Sequence, residues 1–287
     1  MNMSKVIIIG GGPAGISAAL YAKRANLDVS VFYMPNSSLN KAHMIENYYG
    51  IEQISGQDLY EAGIKQAQRL NIEMIPEEVL SLEDTGRFNV VTGTNTYEAD
   101  ALILATGAYR ATPPIKGLKE KEGKGVSYCA VCDGFFYRKK RVAVLGDASY
   151  AAHEAEYLSN LTPTLHILTN GKEIKDDKLR QYELHTGKIK AIEGEVKIER
   201  IVFEDDSVLE IDGLFIAEGS AGSVDLARKI GTLIENNKIV VDENMRTNIP
   251  GLYACGDCTK GLLQVSKAVY EGAQAATDVI KFLRKKD

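Results

Sequence analysis

The sequence predicts an α/β protein built from two βαβ units, with the second unit inserted into the first. At the N-terminus, an apolar strand, a glycine-rich turn, an Ala-rich helix and a second apolar strand follow one another, and the same order recurs from Arg141. The chain then closes with a strand that ends in Gly256-Asp257 and with one long helix. Strands that alternate with helices in this way are typical of parallel sheets.

Length and composition exclude several classes of protein. The chain has 287 residues, of which 45% are hydrophobic and 25% charged, and these values exclude disordered, collagen-like and disulfide-scaffold proteins. The net charge of −5 argues against a dedicated nucleic-acid binder. No apolar run approaches the roughly 20 residues of a membrane helix. The N-terminus also lacks the pattern of a signal peptide, so we expect a cytoplasmic protein with no membrane partner.

The elements of the first unit follow from periodicity and turn residues. Continuous apolar runs predict buried strands, and an apolar residue every three or four positions predicts a helix. The predicted elements, in order, are a strand at residues 5–9, a helix at 16–24, a strand at 29–33, a helix at 59–70, an antiparallel pair at 88–91 and 97–100, and a buried strand at 101–105.

Two proline-containing stretches divide the chain. Pro113 and Pro114 lack N–H donors and cannot continue a helix or a central strand, so we expect a linker there. A second linker is expected around Pro250. The predicted domains are therefore residues 1–112 plus 246–287, and residues 113–245. The elements expected after the first linker are strands at 141–145 and 164–168 around a helix at 149–159, β segments at 196–203 and 208–216, a strand at 252–255 and a helix at 264–286.

The N-terminal turn carries a dinucleotide-binding fingerprint. Gly10 permits the tight turn, Gly12 lets the backbone approach a pyrophosphate, and Gly15 lets the helix pack closely on the strand. A glycine-rich turn without a ligand is the alternative. The second strand ends in Tyr33, where an acidic residue usually holds a ribose, so Tyr33 or residues 36–38 are expected to supply that hydrogen bond.

Two cysteine pairs, each with two residues between its members, point to redox chemistry or metal binding in a reducing compartment. Cys129 and Cys132 have the spacing of a reversible dithiol and disulfide, and the adjacent Asp133 can transfer the proton that the exchange needs. The alternatives are two buried cysteines that act as small hydrophobes, or a four-cysteine zinc site. The second pair lies more than 120 residues away, which argues against zinc.

The second cysteine pair, two basic runs and the histidines have simpler interpretations. Cys255 and Cys258 flank Gly256-Asp257, and we favour core packing over an auxiliary disulfide for them. The basic runs 137–141 and 281–286 are either docking patches or solvated turns. No metal is expected, because the four histidines show no ligand spacing in the sequence. These histidines are His43, His153, His166 and His185.

The cysteine segment carries a family resemblance. Residues 125–136, GVSYCAVCDGFF, are similar to the redox segment of low-molecular-weight thioredoxin reductases, and residues 10–15, 46–50, 105–107 and 256–257 match the family at the expected places. The resemblance implies the FAD/NAD(P)-binding flavoprotein disulfide reductase fold. It further implies FAD on the first domain, a redox-active disulfide on the second, thioredoxin as the substrate and a homodimer.

The resemblance also implies roles for individual residues. Cys132 would face the flavin, Cys129 would attack the disulfide of thioredoxin, and Asp133 would be the acid/base. Just before Gln264 the chain departs from the family pattern, since it is one residue shorter and Leu263 replaces the usual arginine. The residues expected to bind FAD are Gly10, Gly12, Pro13, Ala14, Gly15, Tyr33, Asn47, Val79, Ala105, Thr106, Gly107, Gly256, Asp257, Gln264 and Val265.

The second βαβ turn departs more strongly from the nicotinamide-binding members of the family. It reads Gly146-Asp147-Ala148, so a methyl group stands where a backbone must approach phosphate, and Asp147 is expected to repel phosphate. No arginine follows the next strand to pair with a 2′-phosphate, and Lys172 is the one nearby cation.

This combination resembles the ferredoxin-dependent flavin thioredoxin reductases, in which electrons arrive singly at the flavin. Reduced ferredoxin is therefore the expected donor. NADPH bound at a divergent site remains the alternative. A non-catalytic flavin-binding sensor or scaffold is a further alternative, although such a protein would be free to lose the intact segment from Cys129 to Asp133.

Overall fold

The chain folds as two compact units, one inserted into the other. The computed structural model describes residues 4–35, 37–108 and 113–285. The first unit comprises Met1–Tyr109 and Gly222–Asp287, and the second comprises Arg110–Ala221. Each unit contains a five-stranded parallel sheet with βαβ connections. The predicted fold class is therefore confirmed.

The first unit is built on a parallel sheet in the order β18-β7-β1-β2-β3. A separate antiparallel sheet contains β4, β5 and β6, and β16 pairs with β17. The elements of this unit are β1 (Lys5–Ile9), α1 (Pro13–Arg24), β2 (Asp28–Phe32), α2 (Gly56–Arg69), β3 (Glu73–Ile75), β4 (Val79–Asp84), β5 (Phe88–Thr92), β6 (Thr96–Ala99), β7 (Ala101–Leu104), α5 (Ser223–Lys229), β16 (Ile234–Glu235), β17 (Lys238–Ile239), β18 (Leu252–Ala254) and α6 (Val265–Leu283), with 3-10 turns at Ser38–Lys41 and Gly256–Cys258.

The second unit repeats the parallel arrangement in the order β11-β10-β9-β15-β8 and adds an antiparallel sheet of β12, β13 and β14. Its elements are β8 (Val126–Ser127), α3 (Ala130–Asp133), β9 (Arg141–Leu145), α4 (Ser149–Ser159), β10 (Thr164–Leu168), β11 (Glu183–His185), β12 (Ile189–Glu193), β13 (Arg200–Phe203), β14 (Val208–Glu210) and β15 (Gly213–Ile216), with 3-10 turns at Lys119–Lys121, Gly134–Tyr137 and Asp177–Gln181.

Most of the predicted elements form where the apolar pattern places them, and β1, β9, α4 and β10 have the predicted bounds. The predicted strand 208–216 was wrong as one element, because it divides between two sheets. β14 joins the antiparallel sheet and β15 joins the parallel one. Between them, the backbone N–H of Asp212 donates to the carbonyl of Arg141 (2.8 Å), and the Arg141 guanidinium pairs with the Asp212 carboxylate (3.3 Å). The apolar pattern alone cannot report such a change of sheet.

The second domain boundary lies earlier than the sequence predicted. The division falls at 221/222 and not at 245/246, so residues 222–245 belong to the first unit. Ser223 anchors this segment there, since its hydroxyl accepts a hydrogen bond from the backbone N–H of Thr106 (3.0 Å) and lies 2.8 Å from the Thr106 hydroxyl. The Lys229 ammonium donates to the carbonyl of Leu80 (2.8 Å). The predicted first boundary at Thr112 falls outside the described residues.

Helices α1 and α6 cross very closely in the core of the first unit. A Cβ atom at Gly272 would lie 2.1 Å from the carbonyl oxygen of Ala14, so no side chain fits there. The Ser17 hydroxyl also donates to the carbonyl of Val269 across the crossing (2.7 Å). In the part of the chain that the structure describes, no helix combines the length and the apolar character needed to span a membrane.

We predict that Gly272→Ala lowers the free energy of unfolding by about 1–3 kcal/mol or more, which is the usual cost of overpacking a dense core. Gly63→Ala is the matched control. It also lies in a helix, but its new Cβ would make an ordinary contact, 3.6 Å from Ile16 Cγ2. The control should be neutral or stabilising by about 0.5–1 kcal/mol, the helix propensity difference. Urea unfolding followed by circular dichroism measures both variants, and equal stability of the two would contradict the close crossing.

Candidate functional site

The carboxyl ends of the parallel strands in the first unit meet in a backbone-lined edge. Gly10 follows β1 with a φ of +122°, a conformation that favours glycine, and a Cβ there would lie 2.2 Å from the carbonyl oxygen of Ala105. A Cβ at Gly15 would lie 1.8 Å from the carbonyl oxygen of Gly10. The fingerprint glycines therefore permit the strand, the turn and the helix to pack this closely.

The N-terminus of α1 has the features that favour an anion. Gly12 is its N-cap, with no side chain to cap the first N–H groups, and Pro13 begins the helix. A Cβ at Gly12 would have no heavy atom within 4 Å, so the space in front of this turn is open. The unpaired N–H groups and the positive end of the helix dipole favour a phosphate at this position.

A second turn, Gly256-Asp257, packs against the first turn of α1. A Cβ at Gly256 would lie 2.8 Å from the Cβ of Ala14. The Glu271 carboxylate holds this turn, because it accepts hydrogen bonds from the Gly256 N–H and the Thr259 hydroxyl, both at 2.8 Å. Oδ1 of Asp257 is buried and has no hydrogen-bond partner among the described residues. A buried acceptor of this kind fits a hydroxyl of a bound cofactor.

A buried lysine reinforces that turn. The Lys267 ammonium donates to the carbonyl of Gly256 (2.8 Å) and lies 3.1 Å from the Glu271 carboxylate, and both side chains are at most 10% exposed. The carbonyl of Asp257 accepts a further hydrogen bond from the ammonium of Lys238. Three charged side chains, Glu271, Lys267 and Lys238, therefore converge on one short turn and hold the residue that carries the Asp257 oxygen.

Other predicted cofactor residues lie at or near the same edge. Tyr33 follows β2, and a Cβ at Gly11 would lie 2.7 Å from its Cβ, so the tyrosine flanks the fingerprint turn. The Asn47 side chain donates to the side-chain oxygen of Gln264 (3.0 Å), although these residues are 217 positions apart. Gln264 is the N-cap of α6, and Val265 begins that helix. The structure thus brings together residues that the sequence could only place separately.

The remaining predicted cofactor residues have different placements. Thr106 and Gly107 follow β7 beside Ala105, in agreement with the predicted strand end. Val79 begins β4 in the separate antiparallel sheet, and its role stays a prediction. Of residues 36–38, the alternatives for the ribose contact, Asn36 and the Ser38 side chain lie outside the described residues, and the Ser37 hydroxyl accepts from the backbone N–H of Leu39 (3.2 Å).

The redox segment is a disulfide supported by a serine and a carboxylate. A disulfide bond joins Cys129 and Cys132 at the start of α3. The Ser127 hydroxyl donates to the Asp133 carboxylate (2.6 Å) and accepts from the backbone N–H of Cys129 (3.1 Å). The predicted acid/base is therefore linked through one hydroxyl to the backbone of Cys129, beside the disulfide.

The two sulfur-bearing residues differ in accessibility. Cys129 is 2% exposed, whereas Cys132 is exposed. The Glu154 carboxylate, also buried, accepts a hydrogen bond from the N–H of Ala130 beside Cys129 (2.8 Å). A thioredoxin-directed attack by Cys129 therefore requires that the reduced segment expose this sulfur.

Sequence reasoning missed the residues that support these two sites. Ser127 lies within residues 125–136, the segment that resembles the family. A serine there cannot be recognised as a functional residue until the structure shows its contact with Asp133. Glu154 and Glu271 lie in helices among small, apolar residues. A carboxylate in such a position is the sequence feature that could have indicated them, because a buried charge requires a partner. Lys267 stands four residues before Glu271, a spacing that indicates a helical ion pair.

The second cysteine pair is buried and reduced. Cys255 and Cys258 are free thiols with no exposed surface, and the Cys258 thiol donates weakly to the carbonyls of Cys255 (3.2 Å) and Leu104 (3.5 Å). Burial raises the pKa of Cys258 to about 11 and that of Cys255 well above its usual value. Thiols in this state are poor nucleophiles at neutral pH, which favours the core-packing interpretation.

The environment of Asp147, in the turn before α4, differs from the sequence prediction that its carboxylate would repel phosphate. Its carboxylate is buried and lies 2.6 Å from the Lys175 ammonium, so it serves a structural ion pair and does not face a ligand as a free charge. The Asp147 carboxylate raises the pKa of Lys175 and keeps it protonated. Lys172 pairs in turn with Glu218 (2.7 Å). Both lysines of residues 169–176, directly after β10, are therefore engaged by carboxylates.

Comparison with known proteins agrees with this site. The pyridine nucleotide-disulphide oxidoreductase family matches residues 4–272. The thioredoxin reductase of Listeria innocua is 33% identical, covering 97% of this chain and 93% of its own length, and that of Rickettsia prowazekii is 34% identical, covering 98% and 99%. The chain belongs to this family of oxidoreductases. Within the family it is a thioredoxin reductase homologue, an oxidoreductase that acts on a disulfide.

Two solved structures extend the comparison. The atypical thioredoxin reductase TRi from Desulfovibrio vulgaris Hildenborough has a TM-score of 0.93 and 40% identity, with 99% of each chain covered. A ferredoxin-flavin thioredoxin reductase from Clostridium acetobutylicum has a TM-score of 0.75 and 33% identity, also with 99% of each chain covered. The family members are FAD flavoproteins, and FAD is the cofactor of this protein.

The residues of the first unit fit FAD. The open N-terminus of α1 would hold the pyrophosphate and Asp257 would accept from a hydroxyl of the cofactor, while Gln264 and the N-terminus of α6 would face the flavin. When bound, FAD supplies one- and two-electron chemistry. The protein supplies position, buried polar partners and a favourable helix dipole.

We predict that Asp257→Ala weakens FAD binding ten- to a hundredfold, which corresponds to about 1.5–3 kcal/mol for a hydrogen bond to a charged acceptor. Glu61→Ala is the control, since it removes an exposed carboxylate on α2 of the same unit. Titration of the apoprotein with FAD, followed by flavin fluorescence, gives the dissociation constants. Wild-type affinity in Asp257→Ala would show that the buried oxygen does not contact the cofactor.

Proposed function

We propose that this protein transfers electrons from reduced ferredoxin, through FAD and the Cys129–Cys132 dithiol, to the disulfide of thioredoxin. The reductase part of the proposal rests on family membership and on the disulfide that the structure contains. The choice of ferredoxin as the donor rests on the turn before α4 and on the two lysines that follow β10 in the second unit. We further propose that the first unit binds FAD, that the second carries the redox pair, and that the protein is a cytoplasmic homodimer.

The dithiol can reduce a substrate disulfide in two balanced exchanges. The Cys129 thiolate attacks one sulfur of thioredoxin, and the substrate disulfide breaks as a mixed disulfide forms. The Cys132 thiolate then attacks the Cys129 sulfur, which re-forms the internal disulfide and releases thioredoxin as a dithiol. Two electrons leave the pair, and Asp133, which directly follows Cys132, donates a proton to the departing thiolate.

An exposed aromatic surface beside the disulfide supports a protein substrate. Phe135 and Phe136, which follow Asp133 directly, are 66% and 68% exposed. Large exposed aromatic side chains are common in surfaces that bind other proteins. Because they follow the redox pair within four residues, a protein bound to them would have its own disulfide near the Cys129–Cys132 segment.

The single observation that favours ferredoxin over NADPH is the state of Lys172 and Lys175. A 2′-phosphate needs a cation, and the two lysines of residues 169–176, directly after β10, are each already paired with a carboxylate. Ala148 caps α4 with a methyl group where the first unit has Gly12. A nicotinamide cofactor would therefore lose both its counter-ion and the close approach of the backbone. A ferredoxin requires neither, because it delivers electrons from a surface complex.

We predict unequal roles for the two redox cysteines. Cys132→Ser should accumulate a mixed disulfide with a thioredoxin whose one remaining active-site cysteine carries thionitrobenzoate, because the Cys129 thiolate displaces that group, whereas Cys129→Ser should not form it. Cys132→Ser should also prevent electrons from passing from reduced FAD into the pair. Non-reducing electrophoresis and mass spectrometry detect the adduct. A mixed disulfide through Cys132 would reverse the assignment.

We predict that reduced ferredoxin bleaches the flavin rapidly and that NADPH and NADH do so poorly, with nicotinamide affinity reduced roughly a hundredfold by the missing anchors. Anaerobic stopped-flow absorbance with each donor makes the comparison. The ferredoxin reaction should slow as salt rises, because complementary surface charges are screened.

Lys172→Ala is the matched variant for this comparison. If ferredoxin is the donor, the variant should leave the response to NADPH unchanged, since Lys172 pairs with Glu218 and not with a phosphate. Rapid stoichiometric bleaching of the wild type by micromolar NADPH, with a loss in Lys172→Ala, would assign the protein to the NADPH-dependent reductases. That result would change the electron donor alone, and the assignment of the protein as a thioredoxin reductase would stand.

A further inference from the structure

Two histidines and a glutamate that are separated in the sequence come together at one edge of the second unit. His166 lies on β10, and Glu183 and His185 lie on β11, the three-residue edge strand of the parallel sheet. In the parallel register, His166 pairs with Glu183 and Leu168 pairs with His185. Their side chains share one face of the sheet, because alternate residues of a strand point the same way.

The nitrogen and oxygen atoms of this cluster have the spacing of metal ligands. Nε2 of His185 lies 3.2 Å from Nδ1 of His166. The Glu183 oxygens lie 3.4 Å from Nδ1 of His166 and 3.5 Å from Nε2 of His185. Ligands at about 2.0–2.1 Å from a tetrahedral zinc ion are separated from one another by about 3.3–3.4 Å. The three pairwise distances therefore approximate one face of such a tetrahedron.

We propose that His166, Glu183 and His185 bind a divalent transition metal, with zinc as the ion that fits them best. Imidazole nitrogens and a carboxylate form a borderline ligand set that suits Zn²⁺ and, after it, Cu²⁺ and Ni²⁺. The fourth position of the tetrahedron faces away from the three side chains, and water would fill it. Neither the family assignment nor the proposed reductase activity requires this site.

The surroundings of the cluster support a built site. The His185 ring stacks on the Phe203 ring, with centroids 5.9 Å apart and planes 13° apart, which fixes its orientation. His166 is buried, while Glu183 is exposed and gives a metal ion a route from solvent. The guanidinium of Arg141 acts electrostatically on His166, and it is already paired with Asp212 and Glu210.

Metal binding here would stabilise the edge strand β11. Among the described residues, β11 pairs only with β10 in the sheet, and three pairs of residues define its register. Ligands from both strands would cross-link them, and binding to the folded state alone would raise the melting temperature. The expected effect is local stabilisation of the second unit.

The test is isothermal titration of Zn²⁺ into the FAD-loaded, oxidised protein after removal of metal with a chelator. The oxidised form is used because Cys129 and Cys132 are then joined and cannot bind zinc. We expect one ion per chain with micromolar or tighter affinity. Glu183→Gln and His185→Gln should each weaken binding at least tenfold, whereas His43→Ala, which removes an exposed histidine outside the cluster, should not.

X-ray absorption at the zinc edge identifies the ligands independently of affinity. We expect nitrogen and oxygen neighbours at about 2.0–2.1 Å with histidine scattering and no sulfur at about 2.3 Å. Zinc should also raise the melting temperature of the wild type and of His43→Ala, but not that of Glu183→Gln. Because Glu183 is exposed, its variant keeps the test valid even if His185→Gln folds poorly.

Three results would overturn the proposal. The first is the absence of stoichiometric binding, the second is binding that both cluster variants leave unchanged, and the third is a sulfur-coordinated ion. In the last case the zinc would belong to Cys255 and Cys258. Ferredoxin- and NADPH-linked activities play no part in this test, so its outcome is separate from that of the proposed function.

Discussion

The close approach of backbone segments at the carboxyl edge of the first sheet is the constraint on which the rest of this structure depends. β1, β7 and β18 end side by side, and the turns that follow them contact one another without intervening side chains. Gly10, Gly15 and Gly256 are required because a Cβ at any of them would overlap a neighbouring atom. The result is an edge where the backbone N–H groups at the start of α1 would face a ligand phosphate, beside the buried oxygen of Asp257.

Buried charge holds this edge in place. Glu271 and Lys267 form a pair that fixes the Gly256-Asp257 turn, and Glu154 performs a comparable task for Ala130 beside the disulfide. A buried carboxylate is costly unless it is hydrogen-bonded, so it also restricts the conformations that its partners can adopt. Each of the two chemical centres therefore rests on a carboxylate that takes no direct part in the exchange.

The two units share a framework but differ in their turns. In the first, Gly12 leaves the N-terminus of α1 open, whereas in the second, Ala148 and the Asp147–Lys175 ion pair occupy the corresponding turn. The two turns therefore offer a ligand different surroundings, although the βαβ framework is the same. Function follows from the residues of the turn, not from the fold.

The sequence by itself determined the βαβ pattern, the fingerprint turn and the redox cysteine pair, because these depend on local order: an apolar strand, glycines at fixed spacing, and two cysteines near an acidic residue. Only the tertiary structure decided which distant residues meet. Ser223 with Thr106, Asn47 with Gln264, and His166 with His185 are joined by strand pairing and loop packing, which leave no spacing to read in the chain. The boundary at 221/222 has the same cause, since hydrogen bonds across more than a hundred residues set it.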